Sequence, residues 1–275
     1  MTELDSFNDK LLEGTSRSFY LTLKRLPKSV KGQIGLLYLL ARISDTIADS
    51  GDSGGEDLLQ LLEDYNSRAQ GHSDSMPDFS NLSDVQENPS EGLLLRGAHG
   101  PIELLEEASV VDRELIRRCL DIIVSGQRMD LERFSDKDGS GIRSLSRYEE
   151  MDDYAYRVAG SVGEFWTEIC LEHAFEASAE MKEELMSSGV RFGKALQLIN
   201  ILRDIPEDLE IGRCYIPTDD LEKIGLSPDD LLHSGSIDIF RPLLDQYIAR
   251  AEGHLDEAVR SVSYTHLTLP TKRIV

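Results

Sequence analysis

The chain has 275 residues and carries 51 Asp and Glu against 29 Lys and Arg, a formal net charge of -22. That balance opposes binding along a phosphate backbone, so nucleic acid is excluded as a partner, and any contact with an anionic membrane must be local. Hydrophobic residues make up 40% of the chain and no apolar run is long enough to span a bilayer, so the expectation is a globular cytoplasmic protein with a sizeable core.

Apolar residues recur three and four apart nearly throughout, which predicts an all-α fold. Helices are expected over 3–24, 29–50, 56–68, 103–134, 146–176, 178–208 and 237–262. The start, MTELDSFNDK, has neither the basic n-region nor the apolar h-region of a signal peptide. Further on, TSRSFY brings Ser16, Arg17 and Ser18, hydroxyl and guanidinium donors suited to phosphate.

The helix over 29–50 lies between Pro27 and Gly51, with Ser29 as its expected N-cap. It is apolar except for Tyr38, Arg42, Asp45 and Asp49, spaced 4, 3 and 4, which fall within roughly 60° of arc at 3.6 residues per turn. Such a stripe on an apolar helix is expected to face a cavity. The run from Asn66 to Gly100 is rich in Ser, Asn, Asp, Gly and Pro and reads as a loop insertion over 66–100. A second polar stretch, SDKDGSGIRS over 135–144, reads as a mobile flap or an ordinary connection.

In DDYAYRVAGSVGEFW, Tyr154, Tyr156 and Arg157 precede a row of small residues, Ala159, Gly160, Ser161 and Gly163. Glycine inside a helix costs up to about 1 kcal/mol relative to alanine, so close helix packing or room for a long ligand is expected there. The segment VRFGKALQLINILRDIPED holds a second stripe, Gln197, Asn200, Asp204 and Asp208, beside Arg203, and Pro206 should kink or end its helix. Ser227 and Pro228 open a further short helix as N-cap and first helical residue. The last helix carries its apolar stripe to Val259. The tail from 263 to 275 resembles translated sequencing-adapter read-through, so it reads as non-native, with the natural chain continuing beyond about residue 262. Cys119, Cys170 and Cys214 are scattered and read as reduced thiols, and the six histidines read as surface or cap residues.

Each stripe contains Asp-x-x-x-Asp, which sets two carboxylates on one helical face. Gathered together, carboxylates repel by roughly 4 kcal/mol per close pair at an effective dielectric near 20. A hard divalent cation removes that cost and is commonly shared between carboxylates and substrate phosphates. The residues thus point to a metal-diphosphate site.

Taken together, SRSFYLTLKRLP, the helix ending DTIAD, YAYRVAGSVGE and QLINILRDIPEDLEIGRCYIP resemble the squalene and phytoene synthase family from about Ser16 to Pro217. The resemblance implies a single helical domain of the isoprenoid synthase fold around a central cavity, over 1–262, that joins two prenyl diphosphates head to head. It implies Asp45, Asp49, Asp204 and Asp208 as Mg²⁺ ligands with Asn200 beside them. It further implies Ser16, Ser18, Arg42, Gln197, Arg203, Arg213 and Tyr215 around the diphosphate, and Tyr154 for proton handling or carbocation stabilisation. YLLARISDTIAD and GRCYIP lean toward the squalene-forming side, which implies farnesyl diphosphate and NADPH. Phytoene or dehydrosqualene formation without reduction, or a non-catalytic relative binding prenyl diphosphate, are the alternatives. Peripheral membrane contact for product release is also implied.

Overall fold

The computed structural model describes residues 14–15, 21–50, 57–134 and 141–268, with side chains as far as Val259. The chain divides into two compact units, one of residues 1–132 and 168–176, the other of 133–167 and 177–275. No helix of the described residues is long and apolar enough to cross a membrane.

The first unit is built on α1 (Lys28–Ala48), α2 (Leu58–Gln70), α3 (Ser80–Asp84), α4 (Pro89–Arg96), α5 (His99–Glu107) and most of α6 (Val110–Phe134). Helix α1 buries Ile34, Leu37, Leu40, Ile43 and Ile47 almost completely. It starts one residue before the expected Ser29 cap. Pro27 holds the N-cap position without a side-chain bond, and its carbonyl accepts from the amides of Val30 and Lys31. Helix α2 is tied to α1 by the buried Tyr65, whose hydroxyl donates to the Leu40 carbonyl at 2.9 Å. Gly71, at φ 78, closes α2 in the left-handed region that glycine adopts without steric cost.

The loop expected over 66–100 is corrected by the structure, since α2 runs to Gln70 and α3, α4 and the start of α5 follow. Phe79, Leu82, Leu94, Leu95 and Ala98 are buried, so this polar-looking stretch supplies part of the core. Asn88 caps α4 by accepting from the Ser90 amide at 3.0 Å, with Pro89 in the first helical turn. His173, half-buried at the C-terminal end of its helix, has a specific partner. Its Nε2 lies 2.6 Å from Oδ1 of the buried Asp112, which also accepts from Gln33 Nε2 at 3.2 Å.

The second unit contains β1 (Arg143–Ser144), α7 (Tyr148–Ala155), a π-helical turn (Tyr156–Gly160), the first part of α8 (Ser161–His173) and α9 (Ala179–Arg203). Then come α10 (Ile205–Glu210), β2 (Arg213–Cys214), α11 (Thr218–Lys223) and α12 (Ile237–Thr268). The two short strands pair in parallel, Arg143 with Arg213 and Ser144 with Cys214. Ser227 and Asp230 form a capping box on the 3₁₀ turn Pro228–Leu232, so the short helix expected there takes the tighter form.

One continuous helix over 146–176 was expected, but the backbone widens into the π-helical turn between α7 and α8. The small residues flanking that turn meet α9 directly. A Cβ on Gly163 would lie 1.9 Å from the Gly189 carbonyl oxygen, and one on Gly193 2.1 Å from the Ala159 carbonyl oxygen. Of the two roles expected for these small residues, close packing is the one built at these positions. Tyr215, Ile216, Leu221, Tyr247 and Ala251 form the core of this unit with Phe134 and Leu198. Helix α12 passes the expected end at 262 and reaches Thr268, because SVSYTHLT holds no glycine or proline to stop it.

Candidate active-site residues

In the first unit, α1 leaves Tyr38, Arg42 and Asp45 half-buried and Asp49 exposed, while Leu39, Leu40, Ile43, Ser44, Thr46 and Ile47 are buried. The polar stripe expected from the spacing is therefore a real face of the helix. Asp49 continues the helix by one residue, its amide donating to the Asp45 carbonyl at 2.9 Å, so both side chains keep the i,i+4 relation. Tyr38 donates its hydroxyl to the Thr15 carbonyl at 3.0 Å.

Arg42 joins two carboxylates. Its Nη1 lies 2.5 Å from Asp45 Oδ2 and its Nη2 2.5 Å from Glu91 Oε1, while Nε is buried without a partner. Surrounding protein and the charge of Asp49 push the Asp45 carboxyl up to about 6, against the pull of Arg42. The Asp45 side chain nevertheless keeps 40% of its surface open, so it sits in a recess that remains accessible.

Glu91 and Asn88 were not among the expected site residues. The signal for them was the tetrad Asn-Pro-Ser-Glu, an N-cap residue followed three positions later by an acidic one, which marks a helix start. Asn88 Nδ2 donates to Glu91 Oε1 at 3.1 Å, so the residue that begins α4 also fixes the carboxylate that holds Arg42.

In the second unit, α9 carries Gln197 and Asn200, both half-buried, with Asn200 Nδ2 donating to Gln197 Oε1 at 3.5 Å. Along the same helix Phe192, Leu196 and Ile199 are 46%, 44% and 40% exposed, an apolar row beside the polar groups. At Asp204 the helix breaks. This residue, at φ -93 and ψ 9, is the C-cap of α9 and the N-cap of α10, with Pro206 in the opening turn of α10. The kink expected from proline thus falls two residues before it. The Asp208 amide still donates to the Asp204 carbonyl at 2.9 Å, so the spacing of the pair survives the break. Arg203 Nε and Nη2 each lie 2.6 Å from one oxygen of Asp204.

Tyr154 stacks on Tyr215, with ring centroids 5.0 Å apart and an interplanar angle of 24°. Tyr215 also meets Phe134 edge-on at 5.2 Å and is 8% exposed, which makes it a core residue of this unit. Arg213 is half-buried in β2. Its neighbour Cys214 is buried, and burial pushes its thiol up to about 12, leaving it inert. Ser16, Arg17 and Ser18, most of the stretch over 135–144 and the side chains beyond Val259 lie outside the described residues.

Among the described residues, no three His, Cys, Asp or Glu side chains form a group that would hold a metal. The donor chemistry fits Mg²⁺ all the same. Each acidic motif offers two hard oxygen ligands, and Mg²⁺ characteristically takes one or two carboxylates and fills its remaining positions with water and substrate phosphate.

A profile of the squalene/phytoene synthase family matches residues 12–273. A 15-cis-phytoene synthase of Synechocystis sp. is 29% identical over 251 residues, covering 90% of this chain and 65% of that protein. A bifunctional lycopene cyclase/phytoene synthase of Gibberella fujikuroi is 32% identical over 259 residues, covering 90% of this chain and 42% of the relative. This chain therefore spans less than two thirds of the length of either relative. Among solved structures, squalene synthase HpnC from Alicyclobacillus acidocaldarius superposes with a TM-score of 0.64 at 20% identity, over 95% of this chain and 85% of the other. The fold is that of the isoprenoid synthases. The expected lean toward the squalene-forming side finds no support in the two relatives compared by sequence, both phytoene synthases.

Proposed function

The chain belongs to the squalene/phytoene synthase family of prenyltransferases, and on that premise we propose that it joins two prenyl diphosphates head to head with Mg²⁺, in the manner of a phytoene synthase and without a reductant. The observation that carries this reading is the amphipathic build of α9. Phe192, Leu196 and Ile199 form an apolar row, flanked by Gln197 and Asn200 on the adjacent face, and Asp204 lies at the C-terminal end of the helix beyond them. From Phe192 to Asp204 is about 18 Å at 1.5 Å per residue, the scale of an extended isoprenoid chain. A molecule with an apolar tail and a diphosphate head matches that order of side chains.

Asp45 and Asp49 on one side of the sequence, and Asp204 and Asp208 on the other, are the groups that would hold Mg²⁺. When bound, the metal supplies positive charge that makes diphosphate a better leaving group. Arg42 adds a hydrogen-bonding cation beside Asp45, and Arg203 adds one beside Asp204. As the carbon–oxygen bond breaks, its electron pair leaves with the diphosphate and an allylic cation remains. The apolar row shields that cation from water, and the double bond of the second substrate attacks it. Released diphosphate takes the proton lost as the new bond closes. The coupled product keeps the second diphosphate until that group leaves in turn and a second proton is lost, which completes the hydrocarbon without a reductant. Tyr154, oriented by its stacking on Tyr215, stabilises positive charge with its ring face.

Choice of the reductant-free reaction rests on relatives 29% and 32% identical that carry phytoene synthase names, whereas the likeness to a squalene synthase structure, at 20% identity, extends to fold alone. The test is product analysis after incubation with farnesyl or geranylgeranyl diphosphate and Mg²⁺, with and without NADPH. A coupled hydrocarbon formed equally well without NADPH supports the reading. Product that requires NADPH redirects it to squalene formation, and binding without diphosphate release makes the chain a non-catalytic relative.

A further inference from the structure

Arg42 divides its guanidinium between two carboxylates that differ in one respect. Asp45, which takes Nη1, has a side chain 40% exposed, whereas Glu91, which takes Nη2, is only 18% exposed. Glu91 is further fixed by Asn88 Nδ2 at 3.1 Å, and Asn88 is itself held in place by capping α4. One partner of Arg42 is thus open to an incoming ligand. The other is closed into the helix start that carries it.

If Asp45 turns to a cation, as the function proposed above requires, Nη1 loses its acceptor. A long side chain tied at one end only would then be free to swing away, and the buried Nε supplies no second tie, because it has no partner. We propose that Glu91 is a positioning residue that keeps Arg42 beside Asp45 through this exchange, so that the freed Nη1 meets a phosphate oxygen of the substrate. Glu91 touches neither substrate nor metal. It acts through Arg42, and the inference rests on the proposed diphosphate site.

Calorimetric titration of the purified chain with inorganic diphosphate in the presence of Mg²⁺ tests this without relying on turnover. E91Q should weaken diphosphate binding about tenfold, the scale of one lost hydrogen bond to a charged group. E91D keeps the charge but shortens the reach, and should fall between E91Q and the wild type. In an R42Q background, E91Q should add nothing, because its effect passes through the guanidinium. Diphosphate binding unchanged or tightened in E91Q, or a loss of the same size with and without Arg42, overturns the inference. Should E91Q fail to fold by thermal unfolding, E91D decides, and unchanged binding in E91D overturns the inference. Wild-type protein that binds no diphosphate with Mg²⁺ overturns the site reading, and this inference with it.

Discussion

Gly163 and Gly189 meet backbone to backbone, with the position of a Gly163 Cβ only 1.9 Å from the Gly189 carbonyl oxygen. Alanine normally improves a helix by up to about 1 kcal/mol over glycine, but here the added methyl must push main chain apart, which costs about 1 to 3 kcal/mol. G163A should therefore lower the urea midpoint. Gly253, in α12, has nothing within 4 Å of its Cβ position, so G253A should raise that midpoint. Equal effects of the two substitutions would contradict the close packing.

Asp45 should be a residue that the metal-free fold tolerates at a cost. Its carboxyl is raised to about 6 from 3.8, so ionisation is harder in the native chain than in the unfolded one. Its contribution to metal-free stability is complete below pH 3.8 and is lost as the pH rises through 6. At pH 7.5 without Mg²⁺, D45N should melt at a higher temperature than the wild type. Its Mg²⁺-dependent diphosphate release should drop on the order of a hundredfold or more, as for loss of a metal-site residue.

Protons and Mg²⁺ should compete at the same carboxylate. Calorimetry at pH 7.5 and pH 5 should show weaker Mg²⁺ binding at the lower value, by up to about tenfold from this group alone, since one pH unit below a pKa leaves roughly a tenth of the carboxylate ionised. The dependence should flatten in D45N. A pH profile shared by both proteins would place the competing proton elsewhere.

Tyr247 is 1% exposed and donates its hydroxyl to Asp220 Oδ2 at 2.5 Å, linking α12 to α11. Burial opposes the charge of Asp220, but the hydrogen bonds from Lys223 and Tyr247 prevail and hold its carboxyl below the ordinary value. This depressed group stabilises the fold above its unfolded value and loses that effect as pH falls through its folded one. Y247F should cost about 1.5 kcal/mol near neutrality, the low end for a hydrogen bond to a charged group, and should move acid unfolding to higher pH. Urea titrations followed by circular dichroism at several pH values measure both.

The polar stripe of α1 was legible in the sequence because spacing fixes a helical face before any tertiary contact is known, whereas the second stripe is interrupted at Asp204. The helical character of 66–100 was hidden by composition. Its Ser, Asn, Asp, Gly and Pro mask Leu82, Leu94, Leu95 and Ala98, which are few but fully used, and the Asn88 cap was the overlooked local cue. Glu91 was out of reach for a different reason. Its partner Arg42 is 49 residues away, and periodicity within one helix says nothing about a contact at that separation. The π-helical turn at Tyr156–Gly160 was likewise hidden, since the same small residues suit an ordinary helix until α9 presses against them.

Asp45 lies in a helix of 21 residues and Asp49, still in helical backbone geometry, caps its end, whereas Asp204 and Asp208 straddle a joint between two helices. Two motifs spelled alike are therefore different mechanical objects. A substitution within α1 that preserves its helix leaves the first pair's separation untouched, because a stiff rod sets it. The second pair is set by two backbone torsions at Asp204 and by the proline that follows, so P206A alone should let α9 run on and re-aim Asp208. The torsions of one joint residue can reset the geometry of the second pair, while the first is held like marks on a ruler.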